Sequence, residues 1–163
     1  MIPSDVRSPR FIVDINVAWL ARRLRAMGYD ALLLRDADDG DLVRIALQEN
    51  RVLLTKDARL LERRVITTGQ VRAVLLQTDD AHKQLRQIVN EFHLNNKNSF
   101  SLCIFCNLPL EAMSREQAKL LVPAYVYTIH QEFVHCPACQ RVYWKGTHWK
   151  SMRREMEQLQ ETE

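Results

Sequence analysis

Four cysteines stand as two Cys-x-x-Cys pairs, Cys103/Cys106 and Cys136/Cys139, and they are every cysteine in the 163-residue chain. Each pair can form a tight knuckle whose thiolates face one point, so the two together offer the tetrahedral soft-ligand set of a structural Zn²⁺. Iron in a similar Cys₄ cage is the competing metal, and two disulfides would require an oxidising compartment. With four protein ligands no position is open to water or substrate, so this metal is architectural. It supports a segment from about Ser99 to Trp149 that is too short to enclose a large core. Reactive chemistry is expected elsewhere, and nucleophilic catalysis by cysteine is set aside if all four thiols bind metal.

The second chemical signal is acidic. Asp14 ends one apolar run, the segment Asp38-Asp39-Gly40-Asp41 follows another, and Asp57 follows a third. Functional groups of an open parallel sheet gather beyond the carboxyl ends of its strands. Carboxylates converging there repel one another unless a hard, oxygen-ligated cation neutralises them, which points to Mg²⁺ or Mn²⁺. Such an ion can activate water and polarise a phosphoryl group, the chemistry of phosphodiester hydrolysis. Each acid also has a plainer reading, since Asp38, Asp39 or Asp41 can cap a helix, Asp57 can begin one, and Asp14 can accept loop amides.

The elements that must position these acids follow from the apolar pattern. Arg10–Val13, Ala31–Leu34, Arg51–Thr55 and Val71–Leu76 read as strands. Val17–Met27, Leu42–Glu49, Ala58 to about Arg64, and Ala81–Phe92 read as helices, with Gly28 closing the first. Strands alternating with helices predict an α/β fold with a mainly parallel sheet flanked by helices. The polar run Asn95-Asn96-Lys97-Asn98 predicts the connection between a first domain, residues 1–97, and a small zinc-ribbon module, residues 98–163, that ends in a basic helix from about Lys150 to Gln160.

Net charge is +3 and the pI is about 8.8, which permits an anionic partner. The distribution is more telling: Arg141, Lys145, Lys150, Arg153 and Arg154 run without an acid between them and are interleaved with Tyr143, Trp144, His148 and Trp149. Cations beside flat rings suit phosphate contacts and base stacking on a single strand. The alternative is a solvated basic face whose aromatics anchor the zinc core. No apolar stretch approaches the roughly twenty residues that span a bilayer, and the amino terminus lacks a signal-peptide core, so a cytoplasmic, reducing setting and no membrane partner are expected. A phosphate-accepting receiver is disfavoured by the missing acidic pair at Asp14 and the missing fifth strand, and four scattered glycines make no phosphate loop.

The chain resembles the Mut-seven C-terminal ribonuclease family, whose PIN-like nuclease domain precedes a four-cysteine zinc ribbon. The resemblance is carried by Phe11-Ile-Val-Asp14, Leu20-Ala-Arg-Arg-Leu-Arg25 with Gly28-Tyr-Asp30, Asp38-Asp39 before Leu42–Ala46, and Arg51-Val-Leu-Leu-Thr-Lys-Asp57. It continues through Cys103-Ile-Phe-Cys-Asn107, Cys136-Pro-Ala-Cys139 and Arg141–His148 up to Met152. The resemblance implies a PIN-like fold and a metal-dependent endoribonuclease, with Asp14 and Asp57 at the acidic positions and Asp39 and Asp41 as candidates at the second helix. Lys56 stands where the family commonly has arginine, and Asn16 where many relatives have glycine.

Arg22, Arg25 and Lys56 are candidate substrate-phosphate contacts, and Arg141, Trp144, Lys145 and His148 are the corresponding candidates in the ribbon. His130 and His135 read as packing or surface residues, with His135 a candidate neighbour of the zinc ligands. In the mechanism this reading favours, Asp14, Asp57 and one or both of Asp39 and Asp41 bind Mg²⁺ or Mn²⁺, and water attacks an RNA phosphodiester in line, leaving 5′-phosphate and 3′-hydroxyl ends. The ribbon holds RNA that is single-stranded or structured with exposed bases. The rival reading is a non-catalytic RNA- or ribonucleoprotein-binding module. A third has toxin-like activity restrained by a protein inhibitor. The last helix fits packing on either domain or pairing between subunits.

Overall fold

The computed structural model describes residues 7–161. They divide into two compact units, residues 7–24 with 29–94, and residues 25–28 with 95–161.

In the first unit, Phe11–Val13 (β1), Ala31–Leu33 (β2), Val52–Thr55 (β3) and Ala73–Leu75 (β4) form a wholly parallel sheet in the order β2-β1-β3-β4. Each crossover carries a helix: Ala18–Ala26 (α1), Asp39–Glu49 (α2) and the short Arg64–Thr67 (α3), with Ala81–Phe92 (α4) following β4. Both faces of a parallel sheet are covered, so its inner strands read as unbroken apolar runs. Accordingly Phe11, Ile12, Val13, Leu53 and Leu54 are fully buried. The helices contribute their inward stripes, Leu20 and Leu24 from α1, Leu42 and Ala46 from α2, Leu85 and Ile88 from α4.

The helix boundaries are local chemistry. Asp38 caps α2 by accepting from Asp41 N at 2.8 Å, and the Asp41 side chain reaches back to Asp38 N, a reciprocal capping box. Asp80 caps α4 by accepting from Lys83 N. Between β3 and β4 the structure departs from the helix expected over 58–64. A single 3₁₀ turn at Leu60–Glu62 gives way to α3 because Arg63 is extended, and the β-branched Val65-Ile66-Thr67 run propagates a helix poorly.

The amino edge of this sheet is closed by ion pairs. Arg51, 7 % exposed, donates to Asp30 Oδ1 at 2.7 Å, to Glu49 Oε2 at 2.5 Å and to the carbonyl of Phe11 at 3.1 Å. Burial works against the Arg51 charge, but these bonds to Asp30 and Glu49 outweigh it and hold its pKa above the ordinary value.

The second unit is built differently. Glu111–Met113 (β5), Phe133–His135 (β6) and Val142–Tyr143 (β7) form a small antiparallel sheet in the order β5-β6-β7. Short helices Arg115–Ala118 (α5) and Ala124–Ile129 (α6) lie between β5 and β6, and Thr147–Gln160 (α7) ends the described chain. One apolar cluster, Ala118, Val122, Val126 and Phe133, packs beneath α5 and α6, with Met113, Tyr127, Val142 and Trp144 partly buried against it. Gly28 is fixed twice, by φ +89° and by Asn98 O, which lies 2.2 Å from where a Cβ would stand. Among the described residues no helix is long and apolar enough to cross a membrane.

Candidate functional site

Because β1 leads to β2 on one side and the chain then returns to β3 and β4 on the other, the order reverses between β1 and β3. A crevice opens at the carboxyl edge of an α/β sheet at such a point. Asp14 immediately follows β1, and Thr55 and Asp57 stand at the end of β3. The Thr55 hydroxyl, fully buried, donates to Asp14 Oδ2 at 2.7 Å, and Asp57 N donates to Thr55 Oγ1 at 3.0 Å. One threonine thus ties the two acids together across neighbouring strands. Asp57 Oδ1 also accepts from Arg59 N at 2.9 Å, which turns the chain after β3.

Asp14 is only 8 % exposed, and among the described residues it has no ion pair. A buried carboxylate with one hydroxyl donor carries charge that a cation would neutralise. Its hard oxygen, with those of Asp57 and the α2 acids, is the donor type that suits Mg²⁺ or Mn²⁺. Among the described residues the aspartates do not gather into a group of three or more with ligand atoms in mutual reach.

Asp39 and Asp41 both lie in the first turn of α2. Asp41 is engaged: Arg44 donates to its Oδ1 at 3.1 Å, and this bond, then the Asp38 amide, holds its carboxyl below the usual carboxylate value. Asp38, the helix cap, is likewise occupied. Asp39 is exposed in the same turn.

The basic candidates separate. Arg22 is exposed on α1. Arg25 is 5 % exposed and donates to the carbonyls of Ile104 and Phe105, at 2.9 and 3.1 Å, so it braces the first cysteine knuckle. Lys56 pairs with Asp79, an acid beyond the end of β4. The sequence reading passed over Thr55 and Asp79. Asp79 was detectable by the rule that singled out Asp57, an acid just past an apolar strand, whereas the role of Thr55 depends on which strands are neighbours. At the amino ends of α1 and α4, Trp19 and His82 meet edge to face at 5.5 Å, a pair the sequence reading also passed over.

In the second unit the four thiols converge. All ligand sulfurs lie within 4.8 Å of one another, and Cys103 and Cys139 Sγ are 3.8 Å apart. Two ligands about 2.3 Å from a tetrahedral zinc stand roughly 3.8 Å apart, so the cluster fits structural zinc. The two knuckles share one backbone plan. Cys103 N donates to Leu108 O and Asn107 N to Cys103 O, as Cys136 N donates to Arg141 O and Gln140 N to Cys136 O. Asn107 and Gln140 both take positive φ, 61° each.

The thiols are not equivalent. Cys139 is lowered to about 6, first by the Arg141 amide and then, after opposing desolvation, by the Arg141 guanidinium. Cys106 is pushed up to about 12, by burial first and then by hydrogen bonds to Cys139 and Cys136. The Tyr143 hydroxyl lies 3.1 Å from Cys103 Sγ, and burial raises its pKa, so it remains a proton donor.

Arg141 stacks 4.0 Å over the Phe105 ring and bonds Cys139, and Trp144 packs on the apolar cluster, so both support the metal module. Lys145 is exposed, 3.6 Å from Glu132, and His148 is exposed in the first turn of α7. His135 lies 3.8 Å from Glu111 across β5 and β6.

A family model described as Mut7-C RNAse domain matches residues 9–156. No curated protein and no solved structure matches the chain.

Proposed function

The chain belongs to the Mut7-C RNAse domain family, and on that premise we propose that it is a Mg²⁺- or Mn²⁺-dependent endoribonuclease acting at the carboxyl edge of the parallel sheet. The observation that supports this most directly is the Asp14–Thr55–Asp57 run at the point where the strand order reverses. Asp14 and Asp57, with Asp39 or Asp41, would hold the ion through carboxylate oxygens. When bound, the ion supplies an acidified water and neutralises charge on the phosphoryl oxygens. Thr55 orients the Asp14 carboxylate and shares its oxygen with the Asp57 amide, so that both acids keep one arrangement when RNA arrives. Asp39, free of the capping bonds that occupy Asp41, is the better placed of the α2 acids to turn toward the site.

Water attacks phosphorus in line as the bond to the 3′ oxygen breaks, leaving a 5′-phosphate and a 3′-hydroxyl. The C-terminal unit, residues 98–163 in this reading, holds RNA through its exposed cations and rings beside the zinc module. Its four free thiols require reducing conditions, which supports a cytoplasmic setting.

End-labelled single-stranded and structured RNAs incubated with Mn²⁺ or Mg²⁺ test the proposal. Cutting that requires the ion, yields 5′-phosphate ends and is lost in Asp57→Asn supports it. RNA that is bound by every variant and cut by none favours the binding-module reading, and 2′,3′-cyclic phosphate ends would contradict the water nucleophile.

A further inference from the structure

We propose that a cavity between Phe100 and the first turns of α7 takes a nucleobase of single-stranded RNA. The inference rests on the ribonuclease reading above and locates a base-binding site that none of the catalytic acids touches. The cavity is about 360 Å³ and is lined by Phe100 and Trp149 together with Asn96, Ser99, Arg153 and Glu157. That volume lies at the small end of ligand sites, roughly 300–1,000 Å³.

The walls have the chemistry of base recognition. The Phe100 and Trp149 rings stand 4.9 Å apart and 41° from parallel, an open wedge instead of a closed stack. Both are half-buried, and flat rings accept any base on its π face. Phe100 is held at φ +62°, a backbone conformation uncommon for a bulky residue, and its amide is anchored on Ala26 O.

Base edges need hydrogen-bond partners, and two residues that line the cavity carry polar atoms left unused. Asn96 Oδ1 and Ser99 Oγ are buried atoms without a partner among the described residues. Buried polar atoms are nearly always satisfied, so two orphans on residues that line one cavity are groups a base edge would satisfy once the side chains turn toward it. The Glu157 carboxylate, bonded to Arg153 at 3.0 Å, adds a further acceptor.

Phosphate contacts lie at the same ring. Lys145 Nζ and Arg153 Cζ stand 5.6 and 5.3 Å from the Trp149 centroid, and the first turn of α7 holds no acid. A cavity kept for apolar packing alone would be filled, as interiors are, and would not carry orphaned polar atoms. A protein side chain as occupant would call for mainly aliphatic walls, whereas here Met156 is the one aliphatic wall beside two rings, Arg153, Glu157 and small polar groups.

The test uses the full chain, zinc-loaded, with Mg²⁺ and Mn²⁺ withheld so that RNA stays intact. Fluorescence anisotropy on a labelled 12-nucleotide single strand, taken as a probe length of about one single-strand binding site, compares wild type, Trp149→Phe and Trp149→Ala. The expected result is on the order of tenfold weaker binding for Trp149→Ala, little change for Trp149→Phe, and no difference between proteins on an abasic strand. Equal RNA affinity of wild type and Trp149→Ala overturns the pocket while leaving cleavage intact. If Trp149→Ala loses its zinc, photocrosslinking of wild type to 4-thiouridine RNA decides. Adducts on the peptides holding Phe100 or Trp149 support the pocket, and adducts confined elsewhere overturn it. Wild type that binds no single strand and cuts none removes the ribonuclease reading and the pocket together.

Discussion

The two edges of the parallel sheet handle buried charge in opposite ways. At the amino edge, Arg51 is surrounded by Asp30, Glu49 and the Phe11 carbonyl, so every charge has a fixed partner. At the carboxyl edge, Asp14 is as deeply placed but is met, among the described residues, by a single neutral hydroxyl, that of Thr55. A network satisfied within the chain holds structure, and one left short of positive charge is built for something the chain does not contain. Under the proposed function, the amino edge serves stability and the carboxyl edge carries the chemistry.

The largest effect leaves both edges untouched. Stripping zinc with a chelator, or Cys136→Ser, should unfold the C-terminal unit while the parallel sheet keeps its protection, since structural zinc contributes on the order of 10–16 kcal/mol of apparent folding energy. Hydrogen exchange read unit by unit checks this, and loss of protection at β1 and β3 would tie the sheet to the metal.

Arg51→Leu should cost about 1–2 kcal/mol, because Asp30 and Glu49, both partly exposed, keep only Arg10 as a cationic partner. Urea unfolding measures it. Were cleavage per folded molecule to fall as well, the amino edge would be part of the chemistry. At the other edge, Thr55→Val should change stability by only about 1–2 kcal/mol yet reduce turnover at least about tenfold, since the Asp14 carboxylate loses its orientation.

Smaller effects concern the α2 acids. Asp38→Ala should cost about 1 kcal/mol through the lost cap. The depressed Asp41 carboxyl stabilises the fold above its ordinary value of 3.8, and that contribution is lost as pH falls through the lower folded value. The melting-temperature gap between wild type and Asp41→Asn should therefore be present at neutral pH and close in strong acid. A gap that widened on acidification would reverse the assigned sign.

The legible parts of this molecule were those set by local pattern. Buried strand runs announce themselves as Phe11-Ile-Val13 and Leu53-Leu54, the acids at their ends follow by position, and α4 spans the expected Ala81–Phe92. Paired Cys-x-x-Cys spacing likewise implies convergence, which the sulfur positions bear out. What stayed hidden depends on partners distant in sequence. Thr55 matters because β1 lies beside β3, and Arg25 is turned inward by carbonyls 79 and 80 residues away. Trp144 reads as a nucleic-acid contact beside its basic neighbours, yet its ring covers a cluster drawn from α5, α6 and β6. The orphaned atoms of Asn96 and Ser99 arise only once packing has buried them beside the cavity.

The most direct test of the contrast between the edges is Asp14→Asn, with stability, zinc content, RNA binding and Mn²⁺-dependent cleavage measured on one preparation. The account predicts stability equal to or above wild type, because an uncompensated buried charge is removed. It also predicts unchanged zinc and RNA binding, and cleavage reduced by at least about a hundredfold. Cleavage at the wild-type rate by a folded, zinc-loaded Asp14→Asn would contradict it and move the chemistry away from this rim.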